Sequence, residues 1–547
     1  MQKSKIKKLC AITLALALGA TTLVGCGGKD SGKGAKQEMV HNLGAEVETV
    51  DPTLNKAIDG SIVIANAFEG LYKTYDSDKA EPGIAKSCDI SSDGLTYTFH
   101  LRDDAKWSDG QQVTAKDFAY SWKRALDPKT AANYAYQLYY IKGGEAYNTG
   151  KGSADALGIK VVDDLTLEVK LEKPTTYFLE LTAFATYMPL REDVISAHPN
   201  DWTTDPSTYV TDGAFKLQEY NMKDSYVFVK NDNYYDKDKV KLNKLTFKMI
   251  VDETSAYASL KNGELTSIDI VPVAEIESGK QSGLVQISPN LGTYFYCLNV
   301  GNKTEQLKPE VKKALDNKNV RKALNLAIDR EKIVKEVAKG GQEPAYSFVP
   351  KGIEIDGKDF ADKKYWDETK FDVEGAKKLL ADAGYPNGEG LPTFQLKYNT
   401  AEGNKLIAEA VQQMWAQIGV KVNLQNEEWK VFQKSRENGS YEIARHGWSA
   451  DYVDPISFLD MWMTGGGNND AKFANPKYDE LIKKAQLETD VKTRAQHMRE
   501  AEDILMEEMP IVPIYYYTFV KGIDPKVKDM RVSPLGQVYF VKAYMAE

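Results

Sequence analysis

The sequence predicts a mixed α/β fold built in large lobes. Stretches with strand-like alternation are interleaved with stretches of helical spacing, and no short repeat runs through them. With 42% hydrophobic and 10% aromatic residues over 547 positions, the chain can bury several cores, and its length suggests roughly three domains.

The N-terminus stands apart from that fold. Lys3, Lys5, Lys7 and Lys8 form a positive region, an apolar stretch runs from Leu9 to about Val24, and Leu23-Val24-Gly25-Cys26 closes it. This is the shape of an export signal. The apolar run is short and rich in small residues, unlike a membrane-spanning helix. Leu-Val-Gly-Cys resembles a bacterial lipobox, which implies that Cys26 becomes the first mature residue and carries acyl chains, palmitate among them. The alternative is a plain secretory signal with an incidental cysteine. Gly27 to Gln37 is Gly, Ser, Lys and Asp with little that is apolar, and suits a flexible tether.

The elements follow in order. Leu95 to Leu101 alternates strictly and reads as a half-buried strand. Thr114 to Leu126 reads as a helix, with Thr114 able to cap it and Asp117 three residues on. Leu165 to Leu171 is a second alternating strand, ended by Pro174; Tyr226 to Val229 and Leu245 to Ile250 are further strands. Val320 to Val337 carries apolar residues at helical spacing. Asn404 to Ile418 is an amphipathic helix stopped by Gly419, and Val420, Val422 and Leu424 alternate after it.

Charge and cysteine content exclude several functions. Residues 1–25 hold four lysines and no acids, so the remaining 522 residues carry a formal charge of −13 against −9 for the whole chain. An acidic surface argues against nucleic acid as a partner and against a folded domain held on anionic lipid. Cys10 lies in the signal and Cys26 is the lipid site; Cys88 and Cys297 are expected to be buried free thiols. No paired-cysteine or His-x-x-x-His spacing suggests a metal, and no cofactor is expected. Gly465-Gly466-Gly467 lacks the lysine of a phosphate-binding loop.

One segment combines charge with aromatic surface. His446-Gly447-Trp448-Ser449-Ala450-Asp451 places His, Ser and Asp together, but Asp451 stands where a nucleophile elbow needs its second glycine. No catalytic residue is expected. The same segment suits recognition: Arg445 offers a fixed positive fork for a carboxylate, Asp451 a carboxylate for an ammonium, and Trp448 and Tyr452 aromatic surface. An internal Arg445–Asp451 pair is the other reading, and composition leaves the choice open.

Ala444 to Pro455 closely resembles the corresponding stretch of bacterial oligopeptide-binding proteins, the large-lobed solute-binding family that serves ABC importers. The resemblance continues in order through Ala67 to Leu71, which is similar to the family's early helix, Ala105 to Gly110, Val113 to Phe118, Asp212 to Leu217, Asn231 to Tyr235, Val320 to Leu324 and Ile511 to Tyr517. It implies a two-lobed, periplasmic-binding-protein-like (Venus-flytrap) fold with an extra inserted domain. Lobe I would combine 38–68, 192–290 and 519–547, the inserted domain would be 69–191, and lobe II 291–518, after a signal peptide at 1–25 and a tether at 26–37.

The resemblance also implies a function: capture of short peptides by a monomer lipid-anchored outside the cell membrane, and delivery to the permease and ATPase subunits of an importer. The peptide would pair with backbone at Gly447 to Ser449 and at Lys56 to Ile58. Asp451 would take its α-ammonium, and Arg445 and Arg436 would lie near its C-terminus. Tyr134, Trp429, Trp448 and Tyr517 would supply pocket aromatics, although Trp429 and Tyr517 also read as core residues. The sequence departs from enteric relatives at Gly403, Ala338 (with Lys339 adjacent) and Lys56, where histidine, lysine and an acid are expected, so no peptide length is implied. Another solute on the same fold, such as a nickel chelate, an opine or a sugar, stays open, as does peptide-pheromone sensing.

Overall fold

Two strands longer than the rest organise the molecule. Val285–Leu298 and Ile511–Ile523 are rich in β-branched and aromatic residues and pair antiparallel along most of their length. The computed structural model describes residues 35–77, 79–175, 177–301, 307–366 and 371–547. The export signal, Cys26 and most of the tether therefore lie outside the described residues.

The long pair sits in the middle of one continuous sheet. On one side the order runs outward through Ile443–Ser449 and Phe394–Asn399 to Val422–Glu427; on the other it runs through Ser267–Ile268, Glu38–Asn42, Lys244–Lys248 and Ser225–Lys230 to Phe215–Asn221. The register of the long pair slips between Pro289 and Thr293, where the sheet passes from one half to the other. A separate four-stranded antiparallel sheet holds Ala85–Ile90, Thr96–Leu101, Thr166–Lys170 and Ile159–Asp163. It packs on the helix Ala115–Leu126, whose start is fixed by Asp117: its carboxylate accepts from the Thr114 backbone N–H (2.7 Å) and hydroxyl (3.0 Å). Trp107, fully buried, donates its indole N–H to the same carboxylate.

Phe394–Asn399, the helix Glu402–Ala416 and Val422–Glu427 form a βαβ unit with parallel strands. The helix buries Ile407, Val411 and Trp415, and stops at Gly419 with φ +79°. A Cβ there would sit 1.8 Å from the Asn387 carbonyl oxygen, so no other residue fits.

Three expectations change. Val320 to Val337 is not one helix: Lys318–Leu326 ends at Ala327, Arg330–Lys332 starts again under the Asp329 carboxylate, and Ile333–Ala338 is π-helical. Arg330 stabilises the break; buried, it donates to the carbonyls of Asn325 (3.2 Å) and Pro513 (2.9 and 2.7 Å), satisfying an acceptor that the broken helix leaves over. Ala67 to Leu71 is the exit from a helix, since Ile58–Ala67 ends there and Phe68 is extended. Cys88 is a half-buried free thiol rather than a buried one, whereas Cys297 is buried and free.

Candidate functional site

A cavity of about 590 Å³ lies between the two halves of the sheet. The residues that the sequence singles out as peptide-contacting line it: Asp451, Arg445, Arg436, Trp448, Gly447, Ser449, Trp429, Tyr134, Tyr517 and Lys56 to Ile58.

One wall is the strand Ile443–Ser449. Along one edge it pairs with Gly292 to Leu298 over its whole length. Along the other it meets Phe394–Asn399 only at Ile443 and Ala444, and the two strands then diverge. Arg445 to Ser449 thus present a strand edge to the cavity with no strand partner among the described residues. Such an edge can accept an added extended chain. Gly447 is required by its neighbour: a Cβ would lie 2.2 Å from the Tyr517 hydroxyl oxygen.

Charge is divided along that wall. At its C-terminal end the Asp451 carboxylate accepts from the Tyr134 hydroxyl (3.3 Å) and the Gln137 side-chain amide (3.1 Å). Burial pushes its carboxyl up to about 8, against which those two neutral donors work. Asp460 is also buried; burial, and then the neighbouring carboxyls of Asp451 and Asp454, push its carboxyl well above its ordinary value. Toward the other end Arg445 donates Nη2 to the Tyr517 hydroxyl (2.6 Å) and lies 5.0 Å from the Tyr294 ring centre, while its Nε lacks a hydrogen-bond partner. Arg436 is buried beside it, with Nε 3.6 Å from Asp470. The Arg445–Asp451 ion pair that composition left open is not formed: each group is held by neutral partners instead.

The apparent His-Ser-Asp set does not assemble. His446 is buried, stacked on Phe295, and directs Nε2 to Asp470 (3.2 Å); burial pushes it down to about 4, so it is neutral. Ser449 donates to the Asn290 side-chain oxygen (3.1 Å), and Asp451 faces Tyr134 and Gln137. No group of three or more His, Cys, Asp or Glu among the described residues could hold a metal.

The aromatics differ in setting. Trp448 is mostly buried, donates its indole N–H to the Ser457 carbonyl (2.8 Å) and stacks on Tyr134 at 6.2 Å. Trp429 and Tyr517 keep partial exposure along the cavity, so neither is a pure core residue. Ile58 opens the helix Ile58–Ala67 and is 42% exposed; Lys56, two positions before it, binds Glu437 at 2.7 Å. Gly403 and Ala338 both line the cavity. Sequence reasoning missed Gln137, whose role depends on where its helical turn meets Asp451, and Glu253, which accepts from the Glu402 backbone N–H (3.1 Å) at the first turn of Glu402–Ala416.

Residues 79–470 match the model of the bacterial extracellular solute-binding proteins, family 5 Middle. The chain is 41% identical over 541 residues to the oligopeptide-binding protein OppA of Bacillus subtilis, covering 97% of this chain and 96% of that one. It resembles the structure of Haemophilus influenzae OppA in complex with RPPGFSPFR with a TM-score of 0.86 at 34% identity, over 94% of this chain and 99% of that one. The TM-score is also 0.86 against the Escherichia coli murein tripeptide binding protein MppA (34% identity), but 0.63 against the unliganded open form of MppA (33% identity), each comparison covering 94% of this chain and 99% of the other. The two halves are therefore set here as in the former structure and unlike the open form.

Proposed function

Since the chain belongs to the bacterial extracellular solute-binding proteins of family 5, a family of two-lobed binding proteins rather than enzymes, we propose that it captures short peptides between its lobes and delivers them to an ABC importer. The observation that carries this is the strand edge Arg445 to Ser449, open to the cavity and flanked by a carboxyl group toward one end and guanidinium groups toward the other. A peptide is a zwitterion with a backbone that can pair as a strand. Main-chain hydrogen bonds, each about 0.5–1.5 kcal/mol net, hold it without reading its side chains. Its ammonium meets Asp451, which has no cation partner of its own; its carboxylate end runs toward Arg445 and Arg436.

The same reading divides the chain into lobe I (38–68, 192–290 and 519–547), an inserted domain (69–191) and lobe II (291–518). The sheet order supports it, because strands from lobe I lie on one side of the long pair and strands from lobe II on the other. The slip between Pro289 and Thr293 is then the hinge region. Cys26 carries the lipid anchor and 26–37 tether a monomer near its permease, which raises the effective concentration there. The support for anchor and tether is the sequence alone.

The test is to purify the protein from a bacterial host, denature it and identify what is released by mass spectrometry. A mixture of short peptides is expected. Release of only a sugar or a metal chelate would overturn the reading.

A further inference from the structure

Asp59 lies at the start of the helix Ile58–Ala67 and lines the cavity, as does Trp429. Only 9% of the residue is exposed. Part of its carboxylate is accounted for: backbone N–H groups of Asp59 and Gly60 and the Trp429 side chain hydrogen-bond to it. Those amides belong to the first helical turn, where an acid is favoured for local reasons. Oδ2, however, is buried and has no hydrogen-bond partner. The foremost charge acting on the group is Glu48, of like sign. Lys56, the nearest cation in sequence, is engaged with Glu437 at 2.7 Å and Glu48 at 3.6 Å.

A second acceptor is in the same condition. Gln433, one turn along the helix from Trp429, is 4% exposed, lines the same cavity, and its side-chain oxygen also lacks a partner. Trp429 links the two, hydrogen-bonding to Asp59 and standing four residues before Gln433 on its helix; its ring, which Arg436 approaches at 5.9 Å, can pack the alkyl stem of a long side chain. A buried acceptor without a donor is costly, more so if charged, and a ligand that brings the donors recovers that cost.

We propose that Asp59, Gln433 and Trp429 form a side-chain subsite that selects peptides carrying lysine or arginine at a position after the first. The inference rests on the peptide reading above. It adds a preference to a cleft whose main-chain contacts are blind to side chains. A cationic side chain brings several N–H donors and the charge that Asp59 lacks, whereas an aliphatic chain of equal length brings neither. Burial raises the Asp59 carboxyl to about 6, so near neutral pH it is mostly ionised when the side chain arrives.

The test is a positional scan. Pentaalanine with a free amine is synthesised with lysine, or with its neutral isostere norleucine, at each position from the second onward, and dissociation constants are measured by titration calorimetry. At one position the lysine peptide should bind at least about tenfold more tightly than the norleucine peptide. In Asp59→Asn that ratio should collapse toward one. A wild-type scan with no position favouring lysine overturns the proposal, as does a ratio that Asp59→Asn leaves intact, because Asp59 is then only a helix-terminal acid. Should Asp59→Asn not fold, Gln433→Leu takes its place: a reduced ratio supports the subsite and an unchanged one overturns it. If no peptide of the set binds at all, the peptide reading itself fails and this proposal with it.

Discussion

Lowering the pH from 8 to 6 should weaken the capture of a free-amine peptide, although acid keeps the peptide's ammonium charged. The cause is Asp451, whose carboxyl is pushed up to about 8 by burial and stabilised only by the neutral donors Tyr134 and Gln137. A peptide ammonium beside it favours the ionised form, so its pKa falls on binding and a proton leaves. At pH 7 roughly nine tenths of Asp451 is protonated before binding, and removing that proton costs about 1.4 kcal/mol. Affinity therefore rises with pH up to the carboxyl's pKa in the unliganded protein. Above it the peptide's own amine, with a pKa of about 8, loses its charge and affinity falls again. From pH 8 to pH 6 the product of ionised Asp451 and charged amine drops roughly 25-fold. The assay is titration calorimetry in phosphate and in Tris, whose different ionisation enthalpies count released protons. Close to one proton, about 0.8 after the peptide's own uptake, should be released per peptide at pH 7. Asp59 and Glu253 also line the cavity and titrate nearby, at about 6 and about 7, so the control is Asp451→Asn, which removes only the Asp451 part. Proton uptake on binding, or affinity that rises on acidification, would refute the reasoning.

Two further perturbations follow from the geometry. Gly447→Ala drives a methyl group to 2.2 Å from the Tyr517 hydroxyl and so displaces the group that holds Arg445; thermal or chemical denaturation should show a loss of about 1–3 kcal/mol, and an unchanged stability would contradict the packing described. Glu253→Ala removes the carboxylate that accepts the Glu402 N–H across the cleft mouth; loss of a helix cap of about 1 kcal/mol should speed peptide dissociation several-fold in stopped-flow measurements, and an unaltered off-rate would mean the contact does not hold the lobes together.

How far the sequence discloses this molecule depends on the range of the interactions involved. Thr96–Leu101 and Glu402–Ala416 follow their local pattern because each buries one face on one core. Val320 to Val337 has the same kind of pattern yet breaks, because Arg330 reaches the Pro513 carbonyl from a strand almost two hundred residues away. Nothing within a helical window encodes that partner. The pairing of distant strands is of the same kind: Glu38–Asn42 pairs with Lys244–Lys248, and alternation cannot supply that pairing.

In the site, Arg445 to Asp451 is conspicuous because charge and aromatic residues fall close together in one stretch. Whether Arg445 and Asp451 pair with each other was undecidable, since Tyr517 and Gln137, which separate their fates, are remote in sequence. Asp59 was invisible for the opposite reason. In sequence it is an acid in a first helical turn, where acids are ordinary; only its burial and its unpartnered oxygen distinguish it.

The most direct test of the account pairs two peptides with two proteins. Dissociation constants are measured for one tripeptide with a free amine and for its N-acetylated form, on the wild type and on Asp451→Ala. The buried ammonium–carboxylate contact should make the wild type favour the free amine by about 2–5 kcal/mol, at least roughly 30-fold, and the variant should show almost no preference. The same preference in both proteins would contradict the claim that Asp451 holds the peptide's amine.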